Sequence, residues 1–161
     1  MPKINPEHIN ALLNMINRSS YYMLLSMRVC NIDVGYSKVV LDLKKDHINP
    51  FGTVHGGVYA SIIDTAAYWA AYCELDEDAG FTTIDLTVNN LSMAKDNVII
   101  AEGKSIKIGK STCLTEATAK DNSGKLLAHG TSKLMVLQGK QSISHAIEAM
   151  EHCALPLKFI E

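Results

Sequence analysis

A single acidic residue, Asp64, lies within a long stretch of otherwise uncharged residues. Between Gly56 and Cys73 no other side chain carries a formal charge, and most are apolar. Such a stretch predicts a helix, and a helix that is apolar on all sides is expected to be buried. An isolated buried carboxylate is costly unless it is paired, hydrogen-bonded or protonated. Asp64 is therefore a candidate functional acid, although a structural hydrogen bond from Thr65 or a strand threonine explains it equally well.

The segment His55-Gly56-Gly57 lies where a loop enters this helix. A helix N-terminus exposes unpaired N–H groups at its positive end, and glycine lets a ligand approach the backbone closely. These groups can hold a carbonyl oxygen on which negative charge develops. His55 is either a structural residue that bonds the loop or a proton shuttle. Asn49, beside Pro50, could be a simple turn residue.

The spacing between the glycines and the acid constrains how they can cooperate. Gly57 and Asp64 are roughly 10 Å apart along one helix. One carbonyl carbon needs its oxyanion donor and its water-activating base within about 3–4 Å. Two antiparallel copies of the helix around a two-fold axis would bring Gly57 of one chain near Asp64 of the other. If the two residues cooperate, the spacing predicts a homodimer with two shared sites.

Other segments predict the elements that hold these residues. Asn5 and Pro6 are typical of a helix start, and Ser19 and Ser20 are expected to close that helix. Residues 26–43 are expected to be extended, and the central helix to begin at about residue 55 or 56. Period-two patterns and turn residues predict four more strands, at about 83–89, 98–108, 111–120 and 126–137. A further helix is expected in the tail after residue 141.

These elements predict an α+β fold in which a curved antiparallel sheet wraps around the long central helix, with an N-terminal helix and a C-terminal helical tail. The four later strands are expected to form a meander to which the earlier extended segment adds. A single domain is expected over 1–161, with a core of about 20–138 and an extension at 139–161. That extension could pack on the outer sheet face, cover a partner subunit or line a ligand channel.

Composition excludes several classes of protein. A formal net charge of −2 argues against a general nucleic-acid binder. No segment approaches the ~20 apolar residues that span a bilayer. The four cysteines are scattered without a C-x-x-C pair, which favours reduced thiols and a cytoplasmic location. His145 and Glu148 share a helix face but lack an identifiable third ligand, so no metal site is expected.

Four separated blocks of the chain, within residues 30–138, resemble the hotdog-fold acyl-CoA thioesterases of the phenylacetate-pathway type. The first block is the motif N-x-x-G-x-x-H-G-G-x-x-x-x-x-x-D, which runs from Asn49 to Asp64. The other three are "TIDLTVNNLSMA" at 83–94, "AEGKSIKIGKST" at 101–112 and "GKLLAHGTSKLMVL" at 124–137. All four occur in the family's order.

The resemblance implies a role for each matching position. Asp64 would activate water or, alternatively, attack the thioester directly, and Gly57 would supply the oxyanion-hole N–H. Asn49 would position the thioester or the water, and His55 would brace the loop. Thr83 would orient the acid through a hydrogen bond.

A second group of residues is expected on the substrate side of the site. Thr82 competes with Thr83 for the acid, and Gly56 adjoins the oxyanion position. Lys110 stands where the family has arginine and is the first candidate to contact the phosphates of coenzyme A, with a solvated surface lysine as the alternative. Tyr68 fills a place that is often small in the family, which implies a shorter or differently shaped acyl pocket.

The expected activity is hydrolysis of a small-to-medium or aromatic acyl-CoA, without a metal or redox cofactor. The expected assembly is a homodimer with shared sites or a dimer of dimers. The alternative is a protein of the same fold that binds acyl-CoA or acyl-carrier protein without catalysis. Asp64 separates the two hypotheses, because a binding protein has no use for a costly buried acid.

Overall fold

The computed structural model describes residues 3–161, which form a six-stranded sheet, a two-stranded sheet and four α-helices. The helices are α1 (Pro6–Ile16), α2 (Ser20–Leu24), α3 (Gly56–Ala70) and α4 (Ile143–Ala149). The strands are β1 (Lys3–Ile4), β2 (Met27–Asp33), β3 (Tyr36–Asp42), β4 (Gly80–Asn90), β5 (Val98–Ile108), β6 (Thr112–Asp121), β7 (Leu126–Leu137) and β8 (Phe159–Ile160). The larger sheet has the order β2-β3-β5-β6-β7-β4 and is antiparallel throughout.

Several predicted elements are confirmed by the structure. Helix α1 starts after Asn5, whose side chain accepts a hydrogen bond from the Glu7 N–H at 3.0 Å. Strands β5 and β7 have the predicted bounds. Helix α3 begins at Gly56 and packs against all six strands of the larger sheet, most closely against β5 and least closely against β2. Local patterning was therefore sufficient to locate these elements.

Two predictions, one about strand pairing and one about a helix end, are wrong. The four later strands do not form a continuous meander, because β4 pairs with β7 and β3 pairs with β5. Residues 91–97 join β4 to β5 and are long enough to cross the sheet, whereas short turns join β5, β6 and β7. Ser19 and Ser20 also do not close α1, which ends at Ile16 with Asn17 at its C-cap position. Ser19 instead occupies the N-cap position of α2, and Ser20 is the first residue of that helix.

Helix α3 lies unusually close to the inner face of the sheet. A Cβ atom at Gly103 of β5 would be 2.0 Å from the backbone oxygen of Ala66. The hydroxyl of Ser37 on β3 donates a hydrogen bond to the same oxygen at 2.6 Å. On β7, a Cβ atom at Gly130 would be 2.6 Å from a methyl group of Ile63. Gly103 thus allows the backbone of α3 to contact the sheet directly, and Gly130 makes room for the side chain of Ile63.

One stripe of α3 is not covered by the sheet, contrary to the prediction that the helix is buried on all sides. Its residues recur at intervals of three or four and are only half-buried or exposed: Gly57, Ala60, Ser61, Asp64 and Tyr68. The rest of α3 beyond its first two residues is buried against the sheet. Asp64 is therefore at the boundary of the core.

The C-terminal extension packs against the N-terminal part of its own chain. Strand β8 pairs with β1, and the Asn5 N–H donates to the backbone oxygen of Lys158 at 2.8 Å. The Lys158 ammonium is buried, donates to the backbone oxygen of Asp76 at 2.8 Å and lies 4.3 Å from the centre of the Tyr72 ring. Burial lowers the pKa of Lys158 to about 8. Within one chain, the extension therefore closes the end of the fold beyond α3.

Between residues 3 and 161 there is no helix with both the length and the apolar character required to cross a membrane. All four cysteines are free thiols, with Cys73 and Cys113 buried.

We expect Gly103→Ala to destabilise the protein, because the new methyl group would collide with a backbone oxygen that cannot rotate away. Overpacking of this kind lowers the free energy of unfolding by about 1–3 kcal/mol. Chemical denaturation with circular dichroism would measure the change. Lys104→Ala, on the exposed side of the same strand, is the control and should have little effect. A Gly103→Ala protein as stable as the control would contradict the close approach of α3.

Candidate active site

The Asp64 carboxylate is half-buried and is held by one neighbouring strand. The Thr83 hydroxyl on β4 donates a hydrogen bond to Asp64 Oδ1 at 3.0 Å. Within residues 3–161, Oδ2 of the same carboxylate has no hydrogen-bond partner. Burial raises the pKa of Asp64, and the bond from Thr83 offsets part of that rise. The group therefore combines a fixed orientation, a free oxygen and increased basicity.

Thr83, and not Thr82, makes the bond to the acid. Side chains alternate faces along a strand, and Thr83 is on the same face as the buried Phe81. Thr82 is directed to the opposite face of β4. The predicted contact between Thr83 and Asp64 is thus present, while Thr82 as its competitor is wrong for the isolated chain.

A cavity of about 330 Å³ opens beside Asp64. Tyr68 lies on its wall, stacks on Phe81 with 4.1 Å between ring centres, and donates its hydroxyl proton to the Phe81 backbone oxygen at 3.1 Å. Burial raises the pKa of Tyr68, so this hydroxyl remains protonated. Leu86 of β4 lines the cavity too. The acid thus faces a space with largely apolar and aromatic walls.

Helix α2, which sequence patterning missed, supplies another wall of this cavity. Tyr21 and Tyr22 both line it. The Tyr21 hydroxyl lies 2.7 Å from the Ser61 hydroxyl, which itself donates to the Gly57 backbone oxygen at 2.8 Å. The Trp69 indole N–H donates to the Tyr22 hydroxyl at 2.9 Å. The signal in the sequence was the apolar run that begins directly after the two serines.

His55 caps helix α3 and determines which backbone N–H is free. Its Nδ1 accepts a hydrogen bond from the Gly57 N–H at 2.9 Å. The Gly57 N–H, predicted as the oxyanion donor, is thus already engaged. Among the described residues no acceptor is found for the Gly56 N–H. The free donor at the positive end of α3 is therefore on Gly56.

Asn49 organises the loop that precedes α3. Its amide Nδ2 donates to Thr53 Oγ1 at 2.8 Å, and its Oδ1 accepts from the N–H groups of Phe51 at 2.9 Å and Thr53 at 3.2 Å. These contacts engage Oδ1 and one of the two N–H groups of the carboxamide. The geometry agrees with the turn role, and substrate positioning through the remaining N–H stays a prediction.

Lys110 does not reach the Asp64 cavity within one chain. It is exposed in the turn between β5 and β6 and lines a different cavity, together with Glu74 and Asp76. The two cavities share no lining residue. The structure thus leaves Lys110 as a surface lysine of the chain, which was the alternative to a coenzyme A contact.

The free N–H of Gly56 and the Asp64 carboxylate are separated along one helix. Eight residues of α-helix correspond to about 12 Å, which is too far for both groups to act on one carbonyl carbon. Each chain therefore presents two parts of a carbonyl-activating site at different places. One part is a hydrogen-bond donor at a helix end, and the other is a basic carboxylate beside a cavity.

Comparison with solved structures defines the fold class. A thioesterase family protein from Silicibacter pomeroyi superposes with a TM-score of 0.72 at 23% identity, over 78% of this chain and 95% of that one. A thioesterase from Haemophilus influenzae superposes with a TM-score of 0.76 at 18% identity, over 86% and 96%. The sheet wrapped on α3 is a hotdog fold, so the predicted fold class is confirmed.

Sequence comparison agrees with this class. Residues 51–128 match the family model of the thioesterase superfamily. A 1,4-dihydroxy-2-naphthoyl-CoA hydrolase from Listeria monocytogenes is 27% identical over 103 residues, which are 64% of this chain and 84% of that protein. Acyl-coenzyme A thioesterase 13 of Homo sapiens is 27% identical over 107 residues, or 64% and 76%. The chain is thus similar to thioesterases in sequence and fold, and the phenylacetate-pathway subtype stays a prediction.

We expect Thr83→Val to raise the pKa of Asp64 further. Valine has nearly the same shape but cannot donate the hydrogen bond that stabilises the charged carboxylate. The carboxyl carbon of Asp64, followed by NMR across a pH titration, should change its chemical shift at a higher pH in the variant. Thr82→Val is the matched control and should leave the titration unchanged. A shift in Thr82→Val alone would contradict the assigned contact.

Proposed function

We propose that this protein is an acyl-CoA thioesterase that hydrolyses small-to-medium or aromatic acyl groups. The observation that carries the proposal is the half-buried Asp64 carboxylate, which lines a cavity, has a raised pKa and keeps one oxygen without a hydrogen-bond partner among residues 3–161. The similarity to thioesterases over residues 51–128 supports the same class of reaction. A cytoplasmic location belongs to this proposal as an expectation.

In the proposed reaction Asp64 acts as general base. Its free oxygen takes a proton from water while the water oxygen bonds to the thioester carbonyl carbon. The tetrahedral intermediate then collapses, the carbon–sulfur bond breaks, and the departing thiolate receives the proton from Asp64. Water and thioester are thereby converted to a carboxylic acid and free thiol. Burial assists this step because it makes the carboxylate more basic than an exposed aspartate.

The proposed oxyanion donor is the Gly56 N–H rather than that of Gly57. The Gly57 N–H is bonded to His55, whereas the Gly56 N–H is free at the positive end of α3. His55 then has an indirect role, since its cap fixes the first turn and leaves one N–H directed outward. This assignment changes the predicted residue but keeps the predicted chemistry.

The proposed working unit is a homodimer, alone or paired into a dimer of dimers. Gly56 and Asp64 of one chain are too far apart to share a substrate, so the site is complete only with a second copy. Two features support this: the uncovered stripe of α3 and the adjacent edge strand β4, whose Ile84 side chain is 53% exposed. A two-fold pairing along this edge would bring the Gly56 of one chain towards the Asp64 of the other.

The proposed substrate range follows from the side chains around Asp64. Tyr21, Tyr22 and Tyr68 surround the cavity in one chain and reduce the room for a long acyl chain. Aromatic walls also favour a flat acyl group through stacking.

We expect Asp64→Ala and Asp64→Asn to lower kcat about 100-fold or more, because neither side chain can accept the proton from water. The measurement is thiol release from a panel of acyl-CoA thioesters with short, aromatic and long acyl groups. Glu148→Ala, at an exposed position on α4, is the control and should retain activity. Near wild-type turnover in Asp64→Ala would make the mechanism wrong. No hydrolysis of any CoA or carrier-protein thioester would favour the non-catalytic binding protein.

Hybrid dimers test the shared site. Gly56 is the first residue of α3, where proline is well tolerated. Gly56→Pro removes the N–H and adds a ring beside the end of the Asn90 side chain, and this variant should be folded and inactive. Gly56→Ala adds a side chain but keeps the N–H and serves as its control. Mixed dimers of Gly56→Pro and Asp64→Ala chains should regain about a quarter of wild-type turnover, because half of the dimers are hybrid with one intact site each. No recovery in purified hybrids would place both groups in one chain.

A further inference from the structure

The tyrosine wall of the Asp64 cavity is supported by a residue that does not itself line the cavity. Tyr22 and Tyr68 are part of the lining, whereas Trp69 is buried in α3 outside it. The Trp69 indole N–H donates to the Tyr22 hydroxyl at 2.9 Å. The Trp69 ring also packs edge-on against Tyr68, with 5.3 Å between ring centres. The positions of both tyrosines therefore depend on Trp69.

Trp69 is in turn packed against Tyr72, a buried residue just beyond the end of α3. The two rings meet edge to face with 5.5 Å between ring centres, an arrangement that aromatic pairs prefer. The Tyr72 hydroxyl lies 2.6 Å from His8 Nε2, and His8 Nδ1 lies 2.6 Å from the backbone oxygen of Pro156. Helix α1 and the C-terminal extension thus both hold Tyr72 in place.

The extension also contacts Tyr72 directly, through Lys158. The Lys158 side chain is fully buried, and its ammonium lies 4.3 Å from the centre of the Tyr72 ring. Nζ donates to the backbone oxygen of Asp76 at 2.8 Å, and the Lys158 backbone N–H donates to the Glu77 carboxylate at 2.6 Å. The residue is therefore fixed at its backbone and at its tip, and a cation over a ring face is attracted to it.

These contacts form a continuous route from the extension to the cavity, which we call the aromatic path: Tyr72, Trp69, Tyr22 and Tyr68. None of residues 139–161 lines the cavity itself. Protein interiors are close-packed, so a space opened beside one ring allows that ring and its neighbours to shift. A change in the extension can therefore alter the shape of the cavity without touching it.

We propose that the C-terminal extension determines which acyl groups the Asp64 cavity accepts, an inference that rests on the proposed function. Lys158 is a positioning residue that acts through Tyr72 and Trp69. With Lys158 in place, Trp69 holds the tyrosine wall where it favours a small or flat acyl group and excludes a long chain. The extension lies outside residues 51–128, so this determinant is separate from the segment that matches the thioesterase family model.

Three variants separate the possible causes. Lys158→Ala removes the side chain that packs on the Tyr72 ring and leaves a space into which the ring can move. Lys158→Met is the matched control, because it fills a similar volume without the charge. Leu41→Ala, at a buried position on β3 outside the aromatic path, controls for a general loss of stability. Circular dichroism checks folding, and Lys158→Leu replaces Lys158→Ala if the alanine variant is unfolded.

Acyl selectivity is the first readout. It is measured as the ratio of kcat/KM for a long-chain acyl-CoA to kcat/KM for an aromatic one. Lys158→Ala should raise this ratio about tenfold or more, because a larger cavity admits the longer chain. Lys158→Met and Leu41→Ala should keep the wild-type ratio. A loss of folded enzyme lowers both rates equally, so the ratio distinguishes positioning from a merely structural role.

Fluorescence gives a second readout that needs no hydrolysis. Trp69 is the single tryptophan of the chain, so its emission reports on the aromatic path. Lys158→Ala should shift the emission maximum, and the two controls should not. The same signal, followed during titration with phenacyl-CoA and S-decyl-CoA, gives the Kd of an aromatic and of a long-chain thioether. Lys158→Ala should favour the long chain by about tenfold relative to the wild type.

The two proposals fail in different ways. If Lys158→Ala hydrolyses thioesters with the wild-type selectivity, the positioning role is overturned and the proposed function stands. An equal change of selectivity in Lys158→Met or Leu41→Ala would also overturn that role, since charge or general loosening would then be the cause. If no thioester is hydrolysed but the ratio of thioether Kd values changes in Lys158→Ala alone, the proposed function fails and the positioning role stands.

Discussion

The backbone oxygen of Ala66 lies so close to β5 that only a residue without a Cβ atom fits opposite it, at Gly103. At Gly130 of β7, a Cβ atom would collide with a methyl group of Ile63 on the same helix. Because α3 is held at these two points, its rotation about its own axis is determined. The stripe that carries Asp64 must then face away from the sheet interior and towards the edge at β4, where Thr83 meets it. Tight helix–sheet packing thus sets the orientation of an acid that the glycines never touch.

The same packing explains why the acid is tolerated. A carboxylate on the sheet side of α3 would be fully enclosed by apolar side chains, at a cost that a single threonine could not offset. On the boundary stripe, Asp64 is partly shielded, so its pKa rises, but one oxygen remains free. The fold therefore buries the carboxylate enough to increase its basicity and leaves one oxygen accessible for reaction.

The sequence predicted most elements, because helix caps and period-two patterns are local signals. Asn5 as a cap, the start of α3 at Gly56 and the bounds of β5 and β7 all follow from neighbouring residues. The position of β4 beside β7 did not follow, since strand pairing is a non-local choice that alternation does not encode. The short helix α2 was missed because Ser19 and Ser20 are equally typical of a helix end.

The candidate site, like the fold, was predicted from the sequence only in part. The residue types and the spacing of the HGG segment and Asp64 were sufficient to indicate an acid and a helix-end donor that one chain cannot combine. Which N–H is free could not be read from the sequence, because it depends on the His55 ring rotating onto Gly57 rather than Gly56. The cavity that Lys110 lines could not be read from the sequence either, because the order of motifs does not determine which cavity a turn adjoins.

Strand β4 is an edge of the described sheet, and this has a consequence for handling the protein. An edge strand exposes backbone groups that can pair with any other extended segment, and apolar side chains such as Ile84 strengthen that tendency. A chain whose β4 edge is uncovered is thus at risk of aggregation. In the proposed homodimer the second chain covers this edge, so solubility would depend on how soon after synthesis two chains meet, and expression level would matter as well as the stability of the folded chain.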